Sequence, residues 1–251
     1  MAGIKRFLCN LFSHCGGRKY WRRSSMRREF NVDGVSFSMI KVEGGEFVMG
    51  DKDKNAKDNV AHKVKLSDFF IGQTLVTQAL WAAVMNSNPS YSKGTELPVE
   101  QISWEDCMLF LKKLNELTGE NFRLPSEAEW EFAARGGVRS KGYEYSGSDN
   151  VKAVAWCMGS KKDRTHKVAE KKPNELGLYD MSGNVCEWCN DWYDEQYYQN
   201  SPYENPAGPA NGLYKVLRGG SYHNRNKCKV NVRSCNPPYY KYGNIGLRLS
   251  I

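Results

Sequence analysis

No apolar run in the sequence approaches the roughly 20 residues that a membrane-spanning helix needs, so no segment is expected to cross a bilayer. No small-residue cleavage site follows the short apolar stretch near the N-terminus, which Asn10 interrupts, so that stretch does not read as a secretory signal. A cytoplasmic location, peripheral to a membrane at most, is the expectation. Histidine is scarce: His14, His62, His166 and His223 are the full set, too scattered for a histidine-ligated metal centre. There are eight cysteines, but Cys186 and Cys189 form the single CxxC, and no second pair completes a zinc set. In a chain of this size without a secretory leader, thiols are the default, with Cys186 and Cys189 expected to fill space beside tryptophans.

The formal charge of +8 is local. Residues 1–30 carry Lys5, Arg6, Arg18, Lys19, Arg22, Arg23, Arg27 and Arg28 against Glu29 alone, which leaves the body nearly neutral. With no nucleic-acid motif either, nucleic acid is not an expected partner. In the basic head Ile4, Phe7, Leu8, Leu11 and Phe12 fall on one helical face. A short basic amphipathic helix there would suit a membrane surface or a protein partner; a frayed, solvated terminus is the plainer reading.

From residue 31 to 251 the chain reads as one domain, with no internal repeat and no linker. Residues 32–48 alternate short apolar runs with Gly34, Gly44 and Gly45, as strands joined by turns do. Residues 51–59 read as a surface loop, and Val64, Leu66, Phe69 and Ile71 as one further strand. Three helices are then predicted. The first covers about 77–85. The second is capped by Ser103, ends at Gly119 and places Cys107, Phe110, Leu111, Leu114 and Leu117 on one face. The third starts at the Ser126–Glu129 capping box, faces Trp130, Ala133 and Ala134 inward and stops at Gly136 and Gly137. From Val138 on, sustained periodicity disappears over more than a hundred residues. Loops of that extent persist in a compact domain only when function or specific contacts hold them.

Several segments in this order resemble the formylglycine-generating-enzyme (sulfatase-modifying-factor) family: VEGGEFVMG at 42–50, Leu97-Pro98-Val99 with Ser103-Trp104, RLPSEAEWE at 123–131, NELGLYDMSGNV at 174–185 with Glu187-Trp188, LRGGSY at 217–222 and NIGLR at 244–248. The resemblance implies an α+β, C-type-lectin-like fold with a small sheet, about three helices and extensive irregular loops. Most of these motifs are architectural: the glycine pairs allow close backbone approach, and Trp130, Trp188 and Trp192 supply buried area where regular structure is sparse.

The resemblance also implies a structural Ca²⁺ site built from the side chains of Asp180 and Glu187 and the carbonyls of Gly183 and Val185; hard cations take such oxygens. The family's aerobic enzymes oxidise a substrate cysteine to formylglycine with two cysteines that bind copper(I), whose softness suits thiolates. The first of those positions is Asn224 in this chain. The second falls one residue from Cys228. One cysteine does not make the pair, so copper is not expected unless Cys235 joins Cys228, and Cys228 is the lone catalytic candidate.

The stretch after Ser221 supports a different use. Tyr222, His223, Asn224, Asn226, Asn236, Tyr239, Tyr240, Tyr242 and Asn244 are interleaved with basic residues that include Arg233. Tyrosine offers large contact area at low rotamer entropy, and Asn adapts its hydrogen bonds, as in antibody paratopes. The stretch resembles the variable C-terminal region of lectin-fold proteins diversified by retroelements. These residues are the candidate ligand-binding surface for a protein or other exposed ligand, although polar exterior loops of the same fold share the composition. Arg233 and Arg248 also suit a structural role as partners of buried carboxylates or carbonyls. The leading expectation is a non-catalytic binding domain; the alternative is an oxidoreductase making formylglycine.

Overall fold

The structure is a computed structural model that describes residues 26–51, 58–157, 164–223 and 227–251. The basic amphipathic stretch at 4–12 therefore lies outside the described residues. Among the described residues no helix is long and apolar enough to cross a membrane.

Strand β1 (Arg27–Val32) pairs antiparallel with β2 (Val35–Val42) through a tight turn at Asp33 and Gly34, both with positive φ. Arg27–Phe30 thus belongs to the first sheet, so the domain begins before residue 31. β3 (Gly45–Met49) pairs with β4 (His62–Leu66), and β5 (Phe69–Gly72) joins β2. The single strand expected over 64–71 is two strands in two sheets: the polar pair Ser67 and Asp68 breaks the run, and Asp68 Oδ1 accepts the Gly44 amide at 2.9 Å.

The three predicted helices are present: α1 (Gln78–Met85), α2 (Trp104–Thr118) and α3 (Glu127–Ala134). Ser103 and Ser126 cap α2 and α3 in reciprocal capping boxes, with Asp106 and Glu129 returning the bond to the cap amide. Cys107, Phe110, Leu111 and Leu114 are buried as their spacing requires, but Leu117, in the last turn, is 61% exposed. A short fourth helix, α4 (Val151–Val154), follows.

The apparently irregular half hides a four-stranded sheet, β6 (Cys186–Trp192), β7 (Lys215–Arg218), β8 (Ser234–Asn236) and β9 (Ile245–Leu247), in the order β8-β7-β6-β9 with β6 and β9 parallel. Three of these strands are only three or four residues long, too short for periodicity to show. The C-terminus then returns to the first sheet, where Ile251 and Phe70 exchange backbone hydrogen bonds at 3.0 and 3.1 Å. One core lies between α1, α2 and the ends of β7 and β9; a second lies between α3 and β3 to β5, with Trp188 in the first and Trp130 in the second.

Candidate functional site

β7 ends in Gly219 and Gly220, both at positive φ, which turn the chain across the end of the β6–β7 pair. A Cβ on Gly220 would overlap the Lys227 carbonyl and the Cys228 amide, so only glycine lets the returning segment pack this closely. The result is a groove of about 520 Å³. Cys186, Leu217 and Ile245 lie at its base, and Tyr222, His223, Asn236, Tyr242 and Asn244 line its sides.

Hydrogen bonds hold these walls. Asn244 Nδ2 donates to Ser221 Oγ at 3.1 Å, and the Tyr222 hydroxyl donates to the Gly243 carbonyl at 3.2 Å, tying residues 221–222 to residues 243–244. Tyr222 packs on His223 at 4.6 Å between ring centroids. Outside, Tyr239, Tyr240 and Tyr242 form a chain of ring contacts at 6.2 and 4.9 Å. They are 64%, 36% and 47% exposed, so the rim presents large aromatic area to solvent. The structure thus gathers Tyr222, His223, Asn236, Tyr239, Tyr240, Tyr242 and Asn244 about one groove. Asn224 and Asn226 lie outside the described residues.

Arg233 is a correction. Its guanidinium is buried, donates to both Glu127 oxygens at 2.7 and 2.9 Å, and stacks over Tyr198 at 4.1 Å. It anchors the stretch from within and offers nothing to a ligand. Arg218 does the same one layer deeper, pairing with Glu131 and donating to the Val230 carbonyl at 3.0 Å. Burial works against ionisation of Glu131, but Arg218 and Arg135 beside it hold its carboxyl below the usual range.

Cys228 is not in the groove. It is fully buried behind Ser221, in a small core cluster with Tyr145, Val151, Val154 and Cys157. Its thiol hydrogen-bonds the Cys157 thiol, and that contact followed by burial pushes its pKa far up, the opposite of a reactive cysteine. Cys235, the residue that would have to join Cys228 for a copper pair, sits instead on β8 facing the groove. Cys228 therefore partners a cysteine that sequence reading overlooked, because 157 and 228 meet only through the fold. Cys186, expected to fill space, lines the groove, and burial raises its thiol to about 12.

The implied calcium set meets the same test. Glu187 is fully buried and accepts three hydrogen bonds: Arg248 Nη2 to Oε1 at 2.8 Å, and Arg248 Nε and Trp130 Nε1 to Oε2 at 2.9 and 2.8 Å. Asp180 lies near enough to feel both Glu187 and Arg248; burial raises its pKa to about 6, and Oδ2 accepts the Ala169 amide at 2.8 Å. Gly183, at positive φ, abuts the Trp156 carbonyl, and Val185 precedes β6. The cation facing these carboxylates is the Arg248 guanidinium. With both Glu187 oxygens taken by Arg248 and Trp130, the residues present do not fit Ca²⁺ in the implied arrangement.

A family profile described as "Sulfatase-modifying factor enzyme 1-like domain" matches residues 29–251. The chain belongs to this family. Among its relatives are the chaperone protein LppX of Paenibacillus barcinonensis, 33% identical over 75% of this chain and 79% of the other, and the formylglycine-generating enzyme of Streptomyces coelicolor, 28% identical over 83% and 87%. Among solved structures, Treponema denticola variable protein 1 superposes with a TM-score of 0.84 at 31% identity, over 90% of this chain and 99% of that one. As a sulfatase-modifying-factor family member the chain has the mixed α and β, C-type-lectin-like architecture that its motifs imply.

Proposed function

We propose that this family member is a non-catalytic binding domain whose C-terminal groove and tyrosine rim take a protein ligand. The observation that carries the reading is the division of the C-terminal stretch. Tyr222, Tyr242, Asn236, Asn244 and His223 line an open groove, while the one cysteine near the family's copper positions, Cys228, is buried against Cys157. Tyrosine-rich adaptable surfaces on a rigid frame are the chemistry of recognition, and the likeness to a protein called a variable protein supports the same view.

The second reading, oxidation of a substrate cysteine to formylglycine, draws on the formylglycine-generating relatives and on two thiols, Cys186 and Cys235, that line the groove. A direct test incubates the full chain with copper(I), oxygen and a cysteine-containing peptide, following oxygen uptake and peptide mass. No aldehyde product is expected; turnover abolished by Cys235→Ser would reverse the order of the two readings. Retroelement diversification is tested at the gene: a neighbouring reverse transcriptase and a near-identical template repeat for residues 222–244 are the expected finding, and their absence removes that part of the proposal. For the basic head, binding to anionic vesicles that is lost on deleting residues 1–25 is expected if it docks on membranes.

A further inference from the structure

Among the described residues lining the groove, Lys227 carries the sole permanent charge, and no carboxylate is present. The lysines on either side are neutralised: Lys229 pairs with Glu144, and Lys241 with Asp106 at 2.7 Å. No salt bridge engages Lys227 among the described residues. Lys227 shares that lining with Cys186 and Cys235, whose thiol pKa values burial raises and its ammonium lowers.

One more exposed tyrosine sits on a loop tied to this wall. Tyr91, 84% exposed, lies outside the C-terminal stretch. Glu100 fixes it. That residue is almost fully buried, and Oε1 accepts the amide of Ser92, the residue after Tyr91, at 2.9 Å. Its Oε2, which has no hydrogen-bond partner, lies 3.5 Å from where a Cβ on Gly243 would stand, with the Tyr222 hydroxyl at 3.9 Å from the same point. The next residue, Gln101, donates its amide to the Tyr242 carbonyl at 2.9 Å. The loop that carries Tyr91 is thereby joined to the groove wall at Tyr242 and Gly243.

We propose that the groove takes an acidic protein segment, with a carboxylate of the partner seated against Lys227 and Tyr91 extending the tyrosine rim that holds the flanking residues. This rests on the binding reading above and names its partner class. A groove whose described lining holds this cation with hydroxyl and amide groups, its neighbouring carboxylate Glu100 being buried against Gly243, favours an anionic group and penalises a basic one; aromatic side chains supply contact area.

The test pans a phage-displayed random dodecapeptide library on the full chain and measures the enriched peptides by fluorescence anisotropy. Enriched peptides should be net acidic, and Lys227→Glu should weaken them by about tenfold or more while strengthening versions in which Asp and Glu are replaced by Lys. Lys227→Met, which keeps the apolar stem, should lose the acidic preference without the reversal, and Tyr91→Ala should weaken binding without altering charge preference. Unchanged melting curves confirm that each variant is folded. Neutral or basic peptides that still require Tyr240 would overturn the acidic-partner proposal and leave the binding reading standing. Peptides indifferent to Tyr240→Ala and Tyr242→Ala, or no enrichment at all, would overturn both.

Discussion

Arg248 and Glu187 form a bidentate ion pair from which solvent is excluded: two parallel N–H···O bonds of 2.8 and 2.9 Å join β6 to the segment after β9, and both side chains are completely buried. Two further donors of Arg248 go to the carbonyls of Gly72 and Tyr179, each at 2.8 Å. One side chain therefore fastens the first sheet, the loop before Asp180 and the last sheet to each other. Removing one partner leaves an uncompensated buried charge, so Arg248→Met is expected to cost about 3–5 kcal/mol in urea unfolding. EDTA should leave the melting temperature unchanged, since the guanidinium already supplies the positive charge; a calcium-dependent rise in melting temperature lost in Asp180→Ala would refute this.

Arg233→Met probes the inward placement of a residue that composition assigns to the surface. Glu127 would lose its charge partner in a buried site, and a loss of comparable size, about 3–5 kcal/mol, is expected. A variant as stable as the parent but deficient in peptide binding would return Arg233 to the ligand face.

Thiol chemistry separates the groove from the core. Cys235 is only partly buried, whereas Cys157 and Cys228 are fully buried. Short iodoacetamide treatment of the folded chain followed by peptide mapping should alkylate Cys235 and spare both buried thiols. Rapid labelling of Cys228 would show that it is exposed and reactive after all.

Asp191 gives the fold a pH signature. Burial, and then the nearby Glu127, raise its carboxyl to about 8, while its oxygen accepts the Glu127 amide at 2.9 Å. The folded state therefore holds a proton that the unfolded chain has released above its ordinary value of 3.8. This stabilising contribution is full below that value and declines as pH rises toward 8. Burial lowers Lys215 to about 8, its ammonium lying 4.0 and 3.9 Å over Trp104 and Trp192; its contribution has the other sign and weakens stability as pH falls toward 8. Melting temperature measured from pH 5 to 8 should drop less in Asp191→Asn than in the parent, at about 2–4 °C for each kcal/mol involved. Parallel curves would contradict the assignment.

The helices were legible in the sequence because their causes are local. Ser103 with Asp106 and Ser126 with Glu129 close capping boxes within one turn, and the buried stripe of α2 follows from its period. The family, and with it the architecture, was legible because its motifs lie in short contiguous runs. The tyrosine and asparagine character of the binding face was equally a matter of composition.

What only the tertiary structure decided is which way the polar side chains point and what they meet. Arg233 and Tyr239 lie six positions apart in one polar stretch, yet one is buried on Glu127 and the other stands in solvent. Cys228 meets Cys157, Glu187 meets Arg248, and the Tyr91 loop meets Gly243 through Glu100. These pairings cross long stretches of chain and mostly join loop residues, where neither period nor capping leaves a trace. A buried charge must find its partner wherever the packed chain brings one within hydrogen-bonding distance. The sequence determined a lectin-like frame with a recognition-type surface; the packing determined that the arginines and Cys228 belong to the frame, and that Lys227 and the tyrosines belong to the groove.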